Sequence, residues 1–137
     1  MTGKSTINAP SNIAFIKYWG ARDLARALPT NASISMTLTE CVSVSTVAFD
    51  DGSDEPDRID LVGEDGSFAV PPPSFRERAL THLDRVRRWA HRTGSFRVAT
   101  RNSFPTGAGI ASSASGFAAL TLASTKALGL DLTIPEL

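Results

Sequence analysis

Apolar and polar residues alternate with a period of two in several stretches of the first half of the chain, a pattern typical of strands that bury one face. We therefore expect strands at residues 33–38 and 41–49. The β-branched and other strand-forming residues at 5–9 and 13–19 predict two more strands, and a short strand is expected at 58–62. Pro10 is expected to end the first strand, because proline cannot donate to a strand ladder. The turn-forming residues between the strands predict an irregular connection at 20–31 and a hairpin turn at 63–66.

The spacing of apolar residues becomes helical after the three prolines at 71–73. Ser74 is a candidate N-cap for a helix that ends near Arg92, with an apolar stripe at Phe75, Leu80, Leu83, Val86 and Ala90. A strand is expected at 95–101 and a second helix at about 112–128, which is apolar nearly all round and should lie buried. Gly129 suits the end of that helix. Strands followed by helix, strand and helix predict an α+β fold.

Residues 102–116, Asn-Ser-Phe-Pro-Thr-Gly-Ala-Gly-Ile-Ala-Ser-Ser-Ala-Ser-Gly, lead into the second helix. Gly107 and Gly109 allow close approach of the backbone to a ligand, and the small Ser112 and Ser113 leave N–H groups uncovered for an anion such as phosphate. No Lys-Ser/Thr pair follows the last glycine as in a Walker A loop, and Ser112 replaces the third glycine of a dinucleotide fingerprint. From the pattern alone, a phosphate cradle and a packing loop are equally open.

A lysine flanked by apolar and aromatic residues marks a second candidate site. If Lys17 lies on a buried strand, it needs an anionic partner, because an unpaired buried charge is costly. The alternative is an edge-strand lysine whose ammonium group reaches water. Tyr18 and Trp19 are either core aromatics or the walls of a pocket, since each carries a polar group as well as a ring.

Composition narrows the class of protein. The 137 residues include 14 Lys plus Arg and 14 Asp plus Glu, so no global charge attracts nucleic acid or an anionic membrane. No apolar run approaches the ~20 residues needed to cross a bilayer. The single cysteine, Cys41, excludes an internal disulfide and is typical of a reducing cytoplasm, and one cysteine with two histidines argues against a protein-built zinc site.

Three segments, 9–23, 28–38 and 102–120, resemble the mevalonate diphosphate decarboxylase family of the GHMP kinase superfamily. They occur in the family's order and at its approximate spacing. The Lys-Tyr-Trp-Gly run at 17–20 separates this family from most other GHMP members, so the resemblance is specific. It covers most of the chain but only about the first two-fifths of a family-length protein.

The resemblance implies a fold and an assembly. Residues 1–137 would form the N-terminal ATP-binding domain, an α+β, ribosomal-protein-like fold with a left-handed β-α-β crossover. The C-terminal domain would be missing from this chain, and residues 131–137 resemble the first turn of a helix that is not completed. The family resemblance further implies a cytoplasmic homodimer that uses ATP and Mg²⁺, with no nucleic-acid or membrane partner.

The resemblance also implies a reaction, in which ATP phosphorylates the tertiary hydroxyl of a 5-phosphorylated mevalonate. Loss of that phosphate and of carbon dioxide then gives an isopentenyl product. Carried over residue by residue, Lys17 would be the catalytic lysine; Asn12, Tyr18 and Trp19 would bind substrate; and the ATP loop would comprise Gly109, Ile110, Ala111, Ser112 and Ser113. Asn31 and Ser33 match the next motif without an assigned role.

One departure from the family pattern leaves the substrate open. Ala21 stands where the family usually has a second lysine facing the terminal phosphates, which raises the alternative of a monophosphate substrate; Arg22 is common in the family and does not decide the matter. The catalytic aspartate and the arginine for the substrate carboxylate would follow Leu137. A mevalonate 3-kinase-like enzyme and a catalytically inert nucleotide-binding fragment are the remaining alternatives.

Overall fold

The computed structural model describes residues 3–17, 19–24, 28–105, 110–130 and 132. Its strands and helices, in chain order, are β1 (Gly3–Ile16), β2 (Ala21–Asp23), β3 (Leu28–Pro29), β4 (Ile34–Asp51), β5 (Arg58–Val62), β6 (Phe68–Ala69), α1 (Pro73–Trp89), β7 (Gly94–Asn102) and α2 (Ser112–Ala127). Neither helix in these ranges combines the length and hydropathy that a membrane-spanning segment requires.

The main sheet has the strand order β1-β4-β7-β5-β6. Neighbouring strands pair antiparallel except β5 and β7, which run parallel. Parallel neighbours need a crossover connection, and the segment carrying α1 supplies it. The expected α+β fold with a β-α-β unit is confirmed, and the left-handed sense of the crossover stays a prediction from the resemblance.

In two places, two predicted strands form one long strand: 5–9 and the first part of 13–19 are joined in β1, and 33–38 and 41–49 are joined in β4. Pro10 does not end the first strand, because β1 is an edge strand and its proline needs no ladder partner on the open side. The chain absorbs the proline in a register shift: Pro10 pairs with Val42, and the next residue, Ser11, pairs with Leu38. The residues skipped on β4 form a bulge, so β4 also continues through the break that the sequence predicted.

Other boundaries differ in smaller ways. The segment 20–31, expected to be irregular, includes the short hairpin of β2 and β3. Pro72 rather than Ser74 precedes the first turn of α1, because the prolines already hold the helical φ there. Gly129 has φ of 76°, and the N–H groups at 129 and 130 donate to the carbonyls of Lys126 and Thr125, so the expected glycine end of α2 is confirmed.

The core lies between the sheet and the two helices. Phe49 and Phe96 pack with ring centroids 4.8 Å apart, and Val47, Leu83 and other apolar side chains surround them. Helix α2 packs on β1 and β4 and beside α1. Its outer face is exposed at Ala114 and Ala118, so the expectation that the whole helix is buried is wrong. The small size of these outer residues, rather than burial, explains its uniform hydropathy.

His82 joins α1 to α2. Its Nε2 lies 2.9 Å from Oγ1 of Thr121, and its ring meets Phe117 edge-on at 5.5 Å between centroids. Burial lowers the pKa of His82, and the positive charge of Arg85 on the same helix lowers it further. The imidazole is therefore neutral in the folded chain at neutral pH.

We predict that the free energy of unfolding falls as the pH drops below about 6.5, because the unfolded chain then binds a proton on His82 that the folded chain resists. The contribution is fully present above the unfolded pKa and is lost toward the lower, folded pKa. Urea unfolding between pH 7.5 and pH 5 measures it. His82→Gln, which keeps a hydrogen-bonding group, should flatten the slope, whereas the matched change His91→Gln at an exposed histidine should not. An unchanged slope in His82→Gln would contradict this assignment.

Candidate functional site

The N-terminus of α2 has no side-chain cap. Ala111 occupies the N-cap position with φ 57° and ψ 38°, and its carbonyl accepts hydrogen bonds from the N–H groups of Ala114 and Ser115 at 2.9 and 3.2 Å. The N–H groups of Ser112 and Ser113 have no acceptor within the helix, as is general for a first turn. This end of α2 therefore presents free donors together with the positive end of the helix dipole.

Buried hydroxyl groups hold this helix end against the sheet. The Ser43 hydroxyl on β4 donates to Oδ1 of Asn102 at 2.7 Å and lies 2.7 Å from Oγ of Ser115 on α2. Oγ of Ser115 also lies 3.3 Å from the carbonyl oxygen of Ser112. Both Ser43 and Ser115 are buried. Because buried polar groups must find partners, these contacts fix the position of the first turn of α2 over the middle of β4 and the end of β7.

A third buried serine joins β1 to the part of segment 102–116 that directly precedes α2. The Ser11 hydroxyl donates to the carbonyl of Ile110, the residue before the αL position of Ala111. Sequence reasoning missed Ser11, Ser43 and Ser115. The sequence carries one signal for these contacts: serine stands at positions where strand alternation or helix packing places a side chain facing inward.

A cavity of about 450 Å³ opens beside this helix end, between α1, α2 and the turn after β5. Ser112, Ser113 and Gly116 line it from α2, and Arg78 lines it from α1. Its volume falls within the ~300–1,000 Å³ usual for small-molecule sites. The free N–H groups therefore adjoin a space large enough for an organic ligand with an anionic end.

Charged side chains also line the cavity. Arg78 and Arg101 bring two positive charges, and Glu64 brings one negative charge. The Arg78 guanidinium also lies 5.8 Å from the centre of the Phe117 ring. Within the described ranges, no group of three or more His, Cys, Asp or Glu side chains is placed to hold a metal ion.

The second candidate site, around Lys17, lies where β1 and β4 form a two-stranded ribbon beyond the core. Asn12 and Lys17 are exposed, and Trp19 is 84% exposed. Trp19 is thus not a core aromatic, and the interpretation of Lys17 as a charge on a buried strand is wrong. The flanking Phe15 and Ile16 are themselves exposed.

Asn31 and Thr30 secure the backbone of this motif. The Trp19 N–H donates to Oδ1 of Asn31 at 3.3 Å, and the Thr30 hydroxyl donates to the Trp19 carbonyl at 2.6 Å. The Thr30 N–H also donates to the carbonyl of Gly20. Asn31, which matched a motif without a role, therefore holds the backbone at Trp19, and Thr30 is a partner that sequence reasoning missed.

The structure brings together only part of the expected site. Ile110, Ala111, Ser112 and Ser113 are contiguous, and the two serines line the cavity. Tyr18 and Gly109 lie outside the described residues. Among the described residues, no hydrogen bond or ion pair joins Asn12, Lys17 or Trp19 to the start of α2.

We predict that Ala111→Gly raises the free energy of unfolding by roughly 0.5–1 kcal/mol, because a left-handed backbone costs an L-residue more than glycine. His91 is the matched control, since it has φ of 51° just after α1, and His91→Gly should give a similar gain. Chemical denaturation of each variant measures the change. A loss of stability in Ala111→Gly alone would mean that the alanine methyl group makes a contact that outweighs the backbone strain.

Comparison with known proteins connects this geometry to one family. The profile of the Diphosphomevalonate decarboxylase-like N-terminal domain matches residues 9–137. The diphosphomevalonate decarboxylase of Candida albicans is 37% identical over 142 residues, which cover 97% of this chain and 38% of the relative.

Solved structures agree. The mevalonate diphosphate decarboxylase from Enterococcus faecalis superposes with a TM-score of 0.82 at 38% identity, over 97% of this chain and 40% of that one. A structure described as MDDEF in complex with MVAPP, AMPPCP and magnesium gives a TM-score of 0.79 at 37% identity, over 97% of this chain and 39% of that one. The chain spans about two-fifths of the length of these relatives, and it belongs to the diphosphomevalonate decarboxylase-like N-terminal domain family.

Proposed function

We propose that this chain is the ATP-binding part of an enzyme that uses ATP to decarboxylate a 5-phosphorylated mevalonate to an isopentenyl phosphate or diphosphate, a step of isoprenoid biosynthesis. The observation that carries the proposal is the uncapped start of α2 beside a cavity of about 450 Å³. A family relative with a similar fold is described in complex with AMPPCP, magnesium and MVAPP, which supports the same ligand classes here.

The start of α2 is suited to the phosphates of ATP. The N–H groups of Ser112 and Ser113 donate without competition from a capping side chain, and the helix dipole adds ~0.3–2 kcal/mol toward an anion. A triphosphate needs more neutralisation than one helix end supplies, so phosphoryl transfer at this site also requires cationic side chains and Mg²⁺.

Mg²⁺ would arrive bound to the nucleotide. In the described part of the cavity lining the only carboxylate is that of Glu64, so the phosphate oxygens of the nucleotide would supply most ligands of the ion. The hydroxyl groups of Ser112 and Ser113, at the start of α2, line the same cavity. When bound, the ion neutralises negative charge on the phosphates during transfer.

The exposed ribbon motif would complete the site from the substrate side. We assign Lys17 to charge neutralisation near the transferring phosphate, and Asn12, Tyr18 and Trp19 to the substrate. The exposure of Lys17 and Trp19 supports this assignment, because a binding role requires access to a ligand and a core role does not. We further propose that the enzyme acts as a cytoplasmic homodimer.

The alternatives differ in what the remaining protein contributes. An aspartate and a carboxylate-binding arginine beyond residue 137 are expected from the resemblance, and a protein without that aspartate would be a mevalonate 3-kinase-like enzyme. Without the aspartate and the arginine, residues 1–137 by themselves would bind nucleotide and not turn over substrate, as the inert-fragment alternative states.

We predict that Lys17→Ala lowers kcat of the family-length protein by about 10²-fold or more, since removing one preorganised charge at a reacting centre has effects of that size. Release of ADP and carbon dioxide from ATP and 5-phosphorylated mevalonate measures it. Lys4→Ala is the matched control, because Lys4 is an exposed lysine on β1, the strand that Lys17 directly follows, and it should leave kcat unchanged. A wild-type protein with no such release would refute the proposed function, whereas an active Lys17→Ala would refute only the role of Lys17.

We predict that the monophosphate is turned over with a kcat/KM at least equal to that of the diphosphate. Ala21 on β2 is half-buried and uncharged at the position where relatives of this family usually have a lysine, so a cation for the terminal phosphate is missing there. Parallel assays with both substrates measure the ratio, and Ala21→Lys should shift it toward the diphosphate. A strong diphosphate preference in the wild-type protein would contradict this prediction and leave the reaction class intact.

A further inference from the structure

Gly116 is a glycine that neither its backbone conformation nor its contacts with the described residues require. It lies in the second turn of α2, where glycine costs ~1 kcal/mol relative to alanine. Its φ is not positive, and a Cβ built on it would meet no described atom within 4 Å. Nothing among the described residues therefore explains why the helix gives up stability at this position.

Two other glycines of the chain show what an intramolecular reason looks like. A Cβ on Gly3 would come within 1.9 Å of the Ala127 carbonyl oxygen, so glycine there permits close packing of β1 under α2. Gly129 has φ of 76°, so glycine there permits the turn that ends α2. Gly116 has neither explanation.

The open space beside Gly116 is the cavity. Gly116 lines it together with Ser112 and Ser113, and residues three and four apart on a helix share a face. Phe75 and Arg78 of α1 line the same cavity. One helical turn of ~5.4 Å separates Gly116 from the free N–H groups, and all of them line one cavity, so there is room beside Gly116 for the organic part of a ligand whose phosphates lie at those groups.

We propose that Gly116 keeps open the part of the cavity that takes the nucleoside of ATP, and that a side chain longer than a methyl group at this position excludes the nucleoside while sparing the phosphate subsite. This inference rests on the proposed function, because it takes ATP as the ligand. Gly116 is then a specificity-determining residue because it leaves room for the nucleoside, and not because it contacts the nucleoside.

The experiment compares two probes on the family-length protein, Mg·ATP and Mg·tripolyphosphate, by isothermal titration calorimetry. Tripolyphosphate carries the anionic part of ATP without the nucleoside. Gly116→Leu should raise the Kd for ATP by at least about tenfold, the consequence of overpacking a site, and should leave the Kd for tripolyphosphate within about twofold. Gly116→Met, a flexible helix former, provides a second variant should the leucine change impair folding.

Ala118→Leu is the matched control, because Ala118 lies on the exposed face of α2 two residues further along. It adds the same side chain to the same helix, and it should leave the Kd for ATP within about twofold of wild type. Gly116→Ala should raise the melting temperature through its higher helix propensity and change the Kd for ATP by less than about threefold.

The outcomes separate the inference from the proposed function. A wild-type protein that binds no ATP overturns the proposed function and this inference with it. A wild-type protein that binds ATP, with Gly116→Leu and Gly116→Met binding it equally well, overturns the inference alone. Equal loss of ATP and tripolyphosphate in both variants also overturns it, because the substitution then acts on the helix end rather than on the nucleoside subsite.

Discussion

The contact among Ser43, Ser115 and Asn102 is the constraint on which the candidate site depends. It joins β4, α2 and the end of β7 through two buried serine hydroxyls and the amide oxygen of the half-buried Asn102, and Ser43 and Ser115 are 72 residues apart in the chain. A buried hydroxyl without a partner is costly, so the three elements are held in one relative position. The direction in which the first turn of α2 points follows from that position.

The inward positions of β4 change from apolar to polar along the strand. Phe49, Phe96 and Val47 fill the end near the last turn of α2, where packing supplies the stability. Toward the first turn, the inward positions of the same strands carry Ser43 and Ser45, and Oγ of Ser45 lies 3.0 Å from Oγ1 of Thr100. This change places hydrogen-bonded side chains next to the proposed phosphate site and close-packed apolar side chains away from it.

Three arginines also differ in what they contact. Arg87 at the apolar end pairs with Asp57, lies 5.2 Å from the ring centre of Phe96, and leaves the other Asp57 oxygen to accept the Phe96 N–H at 2.8 Å. Arg78 and Arg101 line the cavity instead. Arginines that look alike in the sequence thus have different tasks: one covers the core, whereas the others contribute positive potential where an anion is proposed to bind.

Local features of the sequence determined the parts of the structure whose energetics are local. The start of α2 at Ser112, its end at Gly129, the bounds of β5 and the α+β order were predicted, because caps, turn residues and periodicity act over a few residues. The motifs also identified the family, since their residue types and order are properties of the chain alone.

The tertiary structure decided what depends on distant partners. Pairing with β4 carried β1 through Pro10, and Lys17 and Trp19 are exposed because no element of the described part of the chain covers the ribbon, although their apolar neighbours predicted burial. The left-handed backbone of Ala111 and the contacts of Ser11, Ser43 and Ser115 were equally beyond sequence reasoning. A serine looks the same to local propensity whether it faces water or another hydroxyl, and only the packing of strands and helix from distant parts of the chain determines which of the two it meets.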